Sequence, residues 1–590
     1  MSSEFEIVNF NDILISPINY IVGLLFFLGL SYAAIILQKN IGTLKKNKFL
    51  ENFLILLCLL VLFINGILLL RINIDHLHIP LNIFIFLGLV FLIYQKKIII
   101  DFFLYINKNN NKILKISLIL IFLNSILSPI DIDSLDYHIG FPGFIEDKGF
   151  YEIQKNWFHS AFFFNGEVIG LIGLIIKIDF FLNFLNILSI LIFFRTIELT
   201  NYNANTKNII KLLIISCPAV IQLILSAKPF LFPLSIIIYS FYQLKKLLSV
   251  KNFKDINSKN VLIHFVIIFF GCSFRYEFYI FLFIIIIYFI IFNISSINKI
   301  FKYSLIGFLI NISPILLRNF LYFKDPIFPF LSKKNLSYEH ISFIDGLGST
   351  GTFFGMDKVL FFPLNLFISI IPEYFITTLG FTIIPLFFIL KKKFINKDIF
   401  IILTYSLVLL ILGKISYPRF FIPSFILFII TSGLIIQKFD LKIFKFILFA
   451  HLTFSLFILS YSLIMYGPML INENFKSKIL TKTVDNYYVY KTISQNFKKD
   501  EKFIDLTKSR NNFDKRKLNI EFDNNKNDFN NLNLFKSISG KKDYIIIEKS
   551  FQNYLIKNDI KFRIIKKFNY KIRTRNPLFN KTNEILIIKF

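Results

Sequence analysis

A chain of 590 residues that is 55% hydrophobic, with mean hydropathy +0.64, is too apolar for a water-soluble fold of that size. The formal charge of +29 would point to nucleic acid in a soluble domain. Here much of it stands in short loops beside apolar runs, where the cytoplasmic preference of Lys and Arg accounts for it, so no nucleic-acid partner is expected. The three cysteines (Cys58, Cys217, Cys272) lie in or beside apolar runs without a CxxC pair, which argues against a disulfide framework or a zinc site.

The N-terminus, Met1-Ser-Ser-Glu-Phe-Glu, is acidic and lacks a small-residue cleavage site, so the first apolar run reads as a retained membrane helix. Runs of spanning length follow near 17–37, 50–70, 79–95 and 113–130. Others lie near 179–197, 208–226, 229–247, 260–275, 278–294 and 300–318, and a last group near 375–390, 398–413, 419–437 and 445–466. At roughly 20 apolar residues per crossing this predicts about 14 transmembrane helices.

Lysine clusters orient the stack. Lys39, Lys45, Lys46 and Lys48 follow the first run, and Lys96, Lys97, Lys108, Lys112 and Lys115 follow the third. Both loops are expected inside, so the fourth span delivers Asp131 to the outer face. Lys245 and Lys246, Lys391 to Lys393, and Lys438 with Lys442 mark further inner loops. This parity holds if 158–177 and 359–373 are re-entrant or interfacial helices; two extra crossings are the alternative. After about 466 the chain turns polar, with β-like runs at 543–548, 561–565 and 584–590 and a helical stretch at 551–557. The expected architecture is an all-α polytopic membrane protein with a small C-terminal α/β extramembrane domain. Its parts are N-terminal membrane helices (1–112), a catalytic membrane module (113–466) and an extracytoplasmic α/β appendage (467–590).

The segment Ser128-Pro-Ile-Asp-Ile-Asp-Ser-Leu-Asp-Tyr-His-Ile-Gly-Phe-Pro142 concentrates Asp131, Asp133, Asp136 and His138 just where the fourth span ends. Ionisable groups near a bilayer are costly unless they are used. Four cations are expected on the same outer rim: Lys228 in Ser-Ala-Lys-Pro, Arg275 in Phe-Arg-Tyr-Glu, Arg318 in Leu-Arg-Asn-Phe and Arg419 in Tyr-Pro-Arg-Phe. That side is unfavourable for simple anchoring, and guanidinium forks and ammonium charges suit phosphate. His159 in Asn-Trp-Phe-His is a further substrate-binding candidate, and the loop Asp345-Gly-Leu-Gly-Ser-Thr-Gly-Thr-Phe-Phe-Gly355 could cradle phosphate with its amides.

The Asp-Ser-Leu-Asp-Tyr-His-Ile-Gly-Phe-Pro run resembles the first outer loop of GT-C superfamily membrane glycosyltransferases, in the branch of bacterial homologues of dolichyl-phosphate-mannose protein mannosyltransferases. Ser226-Ala-Lys-Pro229, Arg318 through Pro329 and Pro418-Arg-Phe-Phe-Ile-Pro423 are similar to later landmarks of that branch, in the same order, over roughly 113–437. The resemblance implies a GT-C-like fold in a bacterial inner membrane, with the site on the extracytoplasmic face. It implies transfer of a hexosyl or pentosyl unit from a polyprenyl-phosphate-linked sugar to a glycan, lipid or protein acceptor. Asp131 or Asp133 would be the general base, the other an acceptor or metal ligand. Asp136, His138, His159, Lys228, Arg275, Arg318 and Arg419 would bind substrate. Mg²⁺ or Mn²⁺ would suit oxygen ligands at Asp131 and Asp133. A surface-polysaccharide polymerase or ligase and a transporter are the rival readings. A transporter would place its charges nearer the bilayer midplane.

Overall fold

The computed structural model describes residues 10–40, 49–94, 111–152, 162–248, 258–328, 331, 364–367, 372–384, 397–411, 418–438, 442–498 and most of 501–589, where 508, 510, 516–519, 522–543 and 574–579 fall outside. His159, Trp157, the glycine-rich loop 345–355 and the lysines 391–393 lie outside the described residues.

The membrane part begins with α1 (Phe10–Asn40), α2 (Phe49–Leu69), α3 (His78–Tyr94) and α4 (Lys112–Ser125). Asn111 starts α4 by accepting the Leu114 N–H at 2.9 Å, an N-cap that a short polar side chain supplies. The helix ends at Ser125, four residues ahead of Pro129. After the outer loop come α5 (Gly140–Lys148), α6 (Asn165–Ile175), α7 (Phe181–Glu198), α8 (Ala204–Ser216) and α9 (Pro218–Ile224). Then follow α10 (Leu231–Leu248), α11 (Ser258–Cys272), α12 (Tyr276–Phe292), α13 (Ile297–Asn311) and α14 (Ser313–Phe323). Later helices are α15 (Ile399–Ile411), α16 (Ile422–Thr431), α17 (Gly433–Lys438) and α18 (Lys442–Tyr466).

Among the described residues five helical segments are long and apolar enough to cross a bilayer, or seven if two bent pairs each count as one span. The run expected as one span at 208–226 is such a pair, α8 and α9, meeting at 67°. Pro218 has no N–H to continue the ladder and holds Cys217 in an extended conformation, so α9 starts afresh with Pro at its first position. The second pair, α12 with the segment Ile294–Asn311, bends by 109°. The expected spans near 179–197, 419–437 and 445–466 appear as helices over nearly those residues.

Two apolar cores run through the bundle. One joins α4 and α7–α13 with α15–α18, and the other joins α1–α3 to α6, α7, α11 and the outer loop. Where α1 crosses α3 the backbones nearly touch: a β-carbon on Gly29 would stand 1.6 Å from the Phe84 carbonyl oxygen, so only glycine permits the crossing. At the end of the bundle opposite the acid loop, Lys245 pairs with the buried Asp398 at 2.7 Å, and the Tyr288 hydroxyl donates to the same carboxylate at 3.1 Å.

The tail opens with α19 (Glu473–Thr483) and α20 (Tyr487–Asn496). It then forms a five-stranded sheet of β1 (Phe503–Asp505), β2 (Ile520–Glu521), β3 (Tyr544–Glu548), β4 (Arg563–Arg573) and β5 (Asn580–Lys589), in the order β2-β1-β3-β5-β4. β2, β1 and β3 are parallel, while β5 runs antiparallel between β3 and β4. The short helix α21 (Asn512–Lys515) follows β1, and α22 (Lys549–Lys557) follows β3. The three strands and the helix expected there are present; β1, β2 and the two leading helices were not foreseen, since none carries a long alternating or periodic run.

Candidate active site

The outer loop leaves α4 and tightens into a single π-type turn, Ser134–His138, before α5. Such turns put an extra residue into the helical ladder and are frequent at functional sites. Asp131 organises the turn. Its carboxylate accepts the Ser134 backbone N–H at 3.1 Å and the Ser134 hydroxyl at 2.5 Å. The Ser134 hydroxyl oxygen accepts the Ala227 N–H at 3.0 Å, which ties the acid loop to the corner between α9 and α10. Asn186 of α7 holds that corner from below, donating to the carbonyls of Leu223 at 3.0 Å and Ser226 at 2.9 Å.

That corner carries Lys228, whose ammonium stands 2.7 Å from Asp133 Oδ2. Arg419, on a 3₁₀ turn of Pro418–Phe421, brings Nη1 to 3.8 Å from the same oxygen. All three side chains are partly exposed, at 15%, 30% and 23% for Lys228, Arg419 and Asp133, so the cluster opens to the outside of the protein. Arg275 stands just ahead of α12. It pairs with Glu277, and its guanidinium lies 5.8 Å from the centre of the Phe230 ring, two residues from Lys228.

Beneath this cluster the turn is buried. His138 Nδ1 lies 2.6 Å from Glu167 Oε1, while Glu167 Oε2 accepts the Phe164 N–H at 2.8 Å at the start of α6. His138 Nε2 has no partner among the described residues. Burial, with Arg275 adding to it, holds the imidazole well below its ordinary value. Burial also raises the Tyr137 phenol, with the Asp133 charge pushing the same way. Asp136 is fully buried in the same turn and belongs to its interior.

Three of the four expected cations therefore gather at the acid loop. Arg318 does not join them. It is buried between Tyr151 and Phe163, 5.2 and 4.9 Å from their ring centres, and donates to the Phe163 carbonyl. The two aspartates also part company: Asp131 is occupied with its own turn, and Asp133 faces the cations. Asp131 and Asp133 as placed do not fit Mg²⁺ or Mn²⁺. The Asp131 oxygens take the two Ser134 donors and Asp133 takes Lys228; no group of three metal-binding side chains occurs among the described residues.

Glu167 and Ser134 were missed in the sequence. Glu167 had a signal: it is an ionisable residue at the head of the apolar run Val168–Ile176, and such a residue is a site candidate by default. The same helix carries Gly166, Gly170 and Gly173 at helical spacing. A β-carbon on Gly166 would come 2.6 Å from Pro229, and one on Gly170 would come 2.9 Å from the His138 carbonyl oxygen. These glycines let the Lys228 corner and the π-type turn both close onto α6.

No family model matches the sequence, and no curated protein matches it. Among solved structures the fold is similar to that of ArnT from Cupriavidus metallidurans bound to undecaprenyl phosphate, with TM-score 0.50 and 8% identity over 80% of this chain and 97% of that one. The apo state of the same protein gives TM-score 0.51 with the same identity and coverage. The likeness extends over nearly the whole of that chain and shows that the two share a fold.

Proposed function

We propose that the protein is a membrane glycosyltransferase that moves a sugar from a polyprenyl-phosphate carrier to an extracytoplasmic glycan, lipid or protein acceptor. The observation that carries this is one partly exposed carboxylate, Asp133, sharing Lys228 and Arg419 at the mouth of the bundle. Supporting it, ArnT, which has the same fold, binds undecaprenyl phosphate.

The chemistry needs a base and an anion hold at one place. The acceptor O–H gives its proton to the Asp133 carboxylate, and the acceptor oxygen forms a bond to the anomeric carbon of the donor. The bond from that carbon to the phosphate oxygen breaks, and its electron pair leaves on the lipid phosphate. Lys228 and Arg419 neutralise that growing charge, with Arg275 adding positive potential nearby. A carboxylate paired with an ammonium is a weak base. Arrival of the donor phosphate draws Lys228 and Arg419 away from Asp133 and so strengthens it. Donor binding thereby activates the base, which couples proton removal to the presence of a leaving group.

The test is to incubate the purified protein with a panel of polyprenyl-phosphate sugars and measure free polyprenyl phosphate together with sugar on the acceptor. Release with transfer from at least one donor is expected. If no donor is consumed and the reconstituted protein instead moves a solute across vesicles, the reading gives way to a transporter.

A further inference from the structure

The acid loop is held at both ends by the C-terminal domain, a part of the chain with no candidate catalytic group. At its start, the Ser128 hydroxyl donates to Asp179 at 3.0 Å, and the same carboxylate takes the Lys476 ammonium of α19 at 2.8 Å. At its far end, α21 lies against the π-type turn and α5. There Gly140 is so close that a β-carbon would stand 2.4 Å from the Leu135 carbonyl oxygen and 3.4 Å from the Phe513 backbone nitrogen. The short helix is itself anchored to the sheet. Lys515, buried, reaches Asp505 at the end of β1 at 3.3 Å, and Asp505 also accepts the Tyr490 hydroxyl at 2.5 Å. Between the two contacts lies a polar cavity of about 400 Å³, lined among others by Glu146, Asp147, Lys177, Asp179, Lys476 and Asp514.

We propose that the C-terminal domain is the positioning element of the acid loop. Lys476, through Asp179 and Ser128, and Phe513, whose side chain packs against the apolar core that includes Leu135, Ile139 and Phe141, hold Asp133 in register with Lys228 and Arg419. Both are positioning residues, since neither approaches the cations or the carboxylate that would touch substrate. The inference rests on the glycosyltransferase reading for its catalytic consequence, because a base displaced by about 1 Å loses on the order of 10²-fold in rate. The register of the loop can be read without any activity.

Ile132, between Asp131 and Asp133, is 52% exposed, and Cys58, Cys217 and Cys272 are buried. A spin label on Ile132→Cys in the full-length protein therefore reports the loop alone. Lys476→Ala and Phe513→Ala are each expected to raise the mobility of that label, and Lys476→Arg to restore it. In the same variants without the label, kcat is expected to fall about tenfold or more, while inhibition by free polyprenyl phosphate shifts less than about twofold. Unchanged label mobility in both alanine variants would overturn the inference. So would a mobile loop with undiminished kcat. If the wild-type protein transfers no sugar, the function reading fails on that result alone, and the label still decides whether the domain holds the loop.

Discussion

Asp131 and Asp133 are two residues apart and do different work. Asp131 caps its own turn, so Asp131→Asn is expected to cost about 1 kcal/mol of stability, seen as a lower melting temperature, with part of the activity retained. Lys228 and Arg318, both expected on the outer rim, are likewise separated by structure. Lys228→Gln is expected to weaken polyprenyl-phosphate binding about 10–100-fold, the range for losing a charged hydrogen bond of roughly 1.5–3 kcal/mol. Arg318→Met should leave that binding unchanged, measured by product inhibition, because its guanidinium faces Tyr151 and Phe163. His138 supplies a pH signature. Its folded-state value is depressed, so the unfolded chain binds the proton more readily. The His138 contribution to stability should then be full above about pH 6.5 and fall as pH drops below it. His138→Gln should flatten that acid limb in thermal melts; an unaltered limb would remove His138 as its source.

At the scale of elements, α6 joins the site to the bundle. Its head bears Glu167, which braces His138, and its glycine face admits Pro229 and the π-type turn. Gly166→Val is expected to push Pro229 and hence Lys228 outward, raising the donor KM by about tenfold or more with a smaller change in kcat; an unchanged KM would mean that the corner is not set by this contact. What was legible at this scale was the apolar length of most helices; the fourth, expected to run to about 130, stops at Ser125. The break at Pro218 was not read as a break, because hydropathy averages over a kink that a missing N–H creates. Glu167 went unseen for a related reason: a segment read as a re-entrant or interfacial helix stood out for its apolar length and not for the carboxylate within it. The convergence of Lys228, Arg275 and Arg419 was legible only as a shared side of the membrane, and the departure of Arg318 from them depends on packing by residues 151 and 163, distant in sequence.

For the whole molecule, the acid loop, Lys228, Arg419 and the C-terminal domain share one end of the bundle, and the Lys245–Asp398 pair lies at the other. Alternation of charge along the sequence predicts which of these ends faces inward, because Lys and Arg density marks the inner side whatever the details of packing. The structured interface between the tail and the loop was not legible, since it rests on a lysine and a four-residue helix with no motif. Impermeant thiol reagents on whole cells should label Ile132→Cys and Lys549→Cys from outside and leave Lys246→Cys untouched; labelling of the first two on opposite faces would contradict the arrangement. The account as a whole turns on Asp133 as the group that takes the acceptor proton. Its most direct test is single-turnover sugar transfer from a polyprenyl-phosphate donor by wild-type protein and by Asp133→Asn, with lipid-phosphate binding measured alongside. The account predicts a loss of about 10²–10⁴-fold in transfer, with binding retained or tightened because Lys228 and Arg419 lose their competing carboxylate. Near-normal transfer by Asp133→Asn would contradict it.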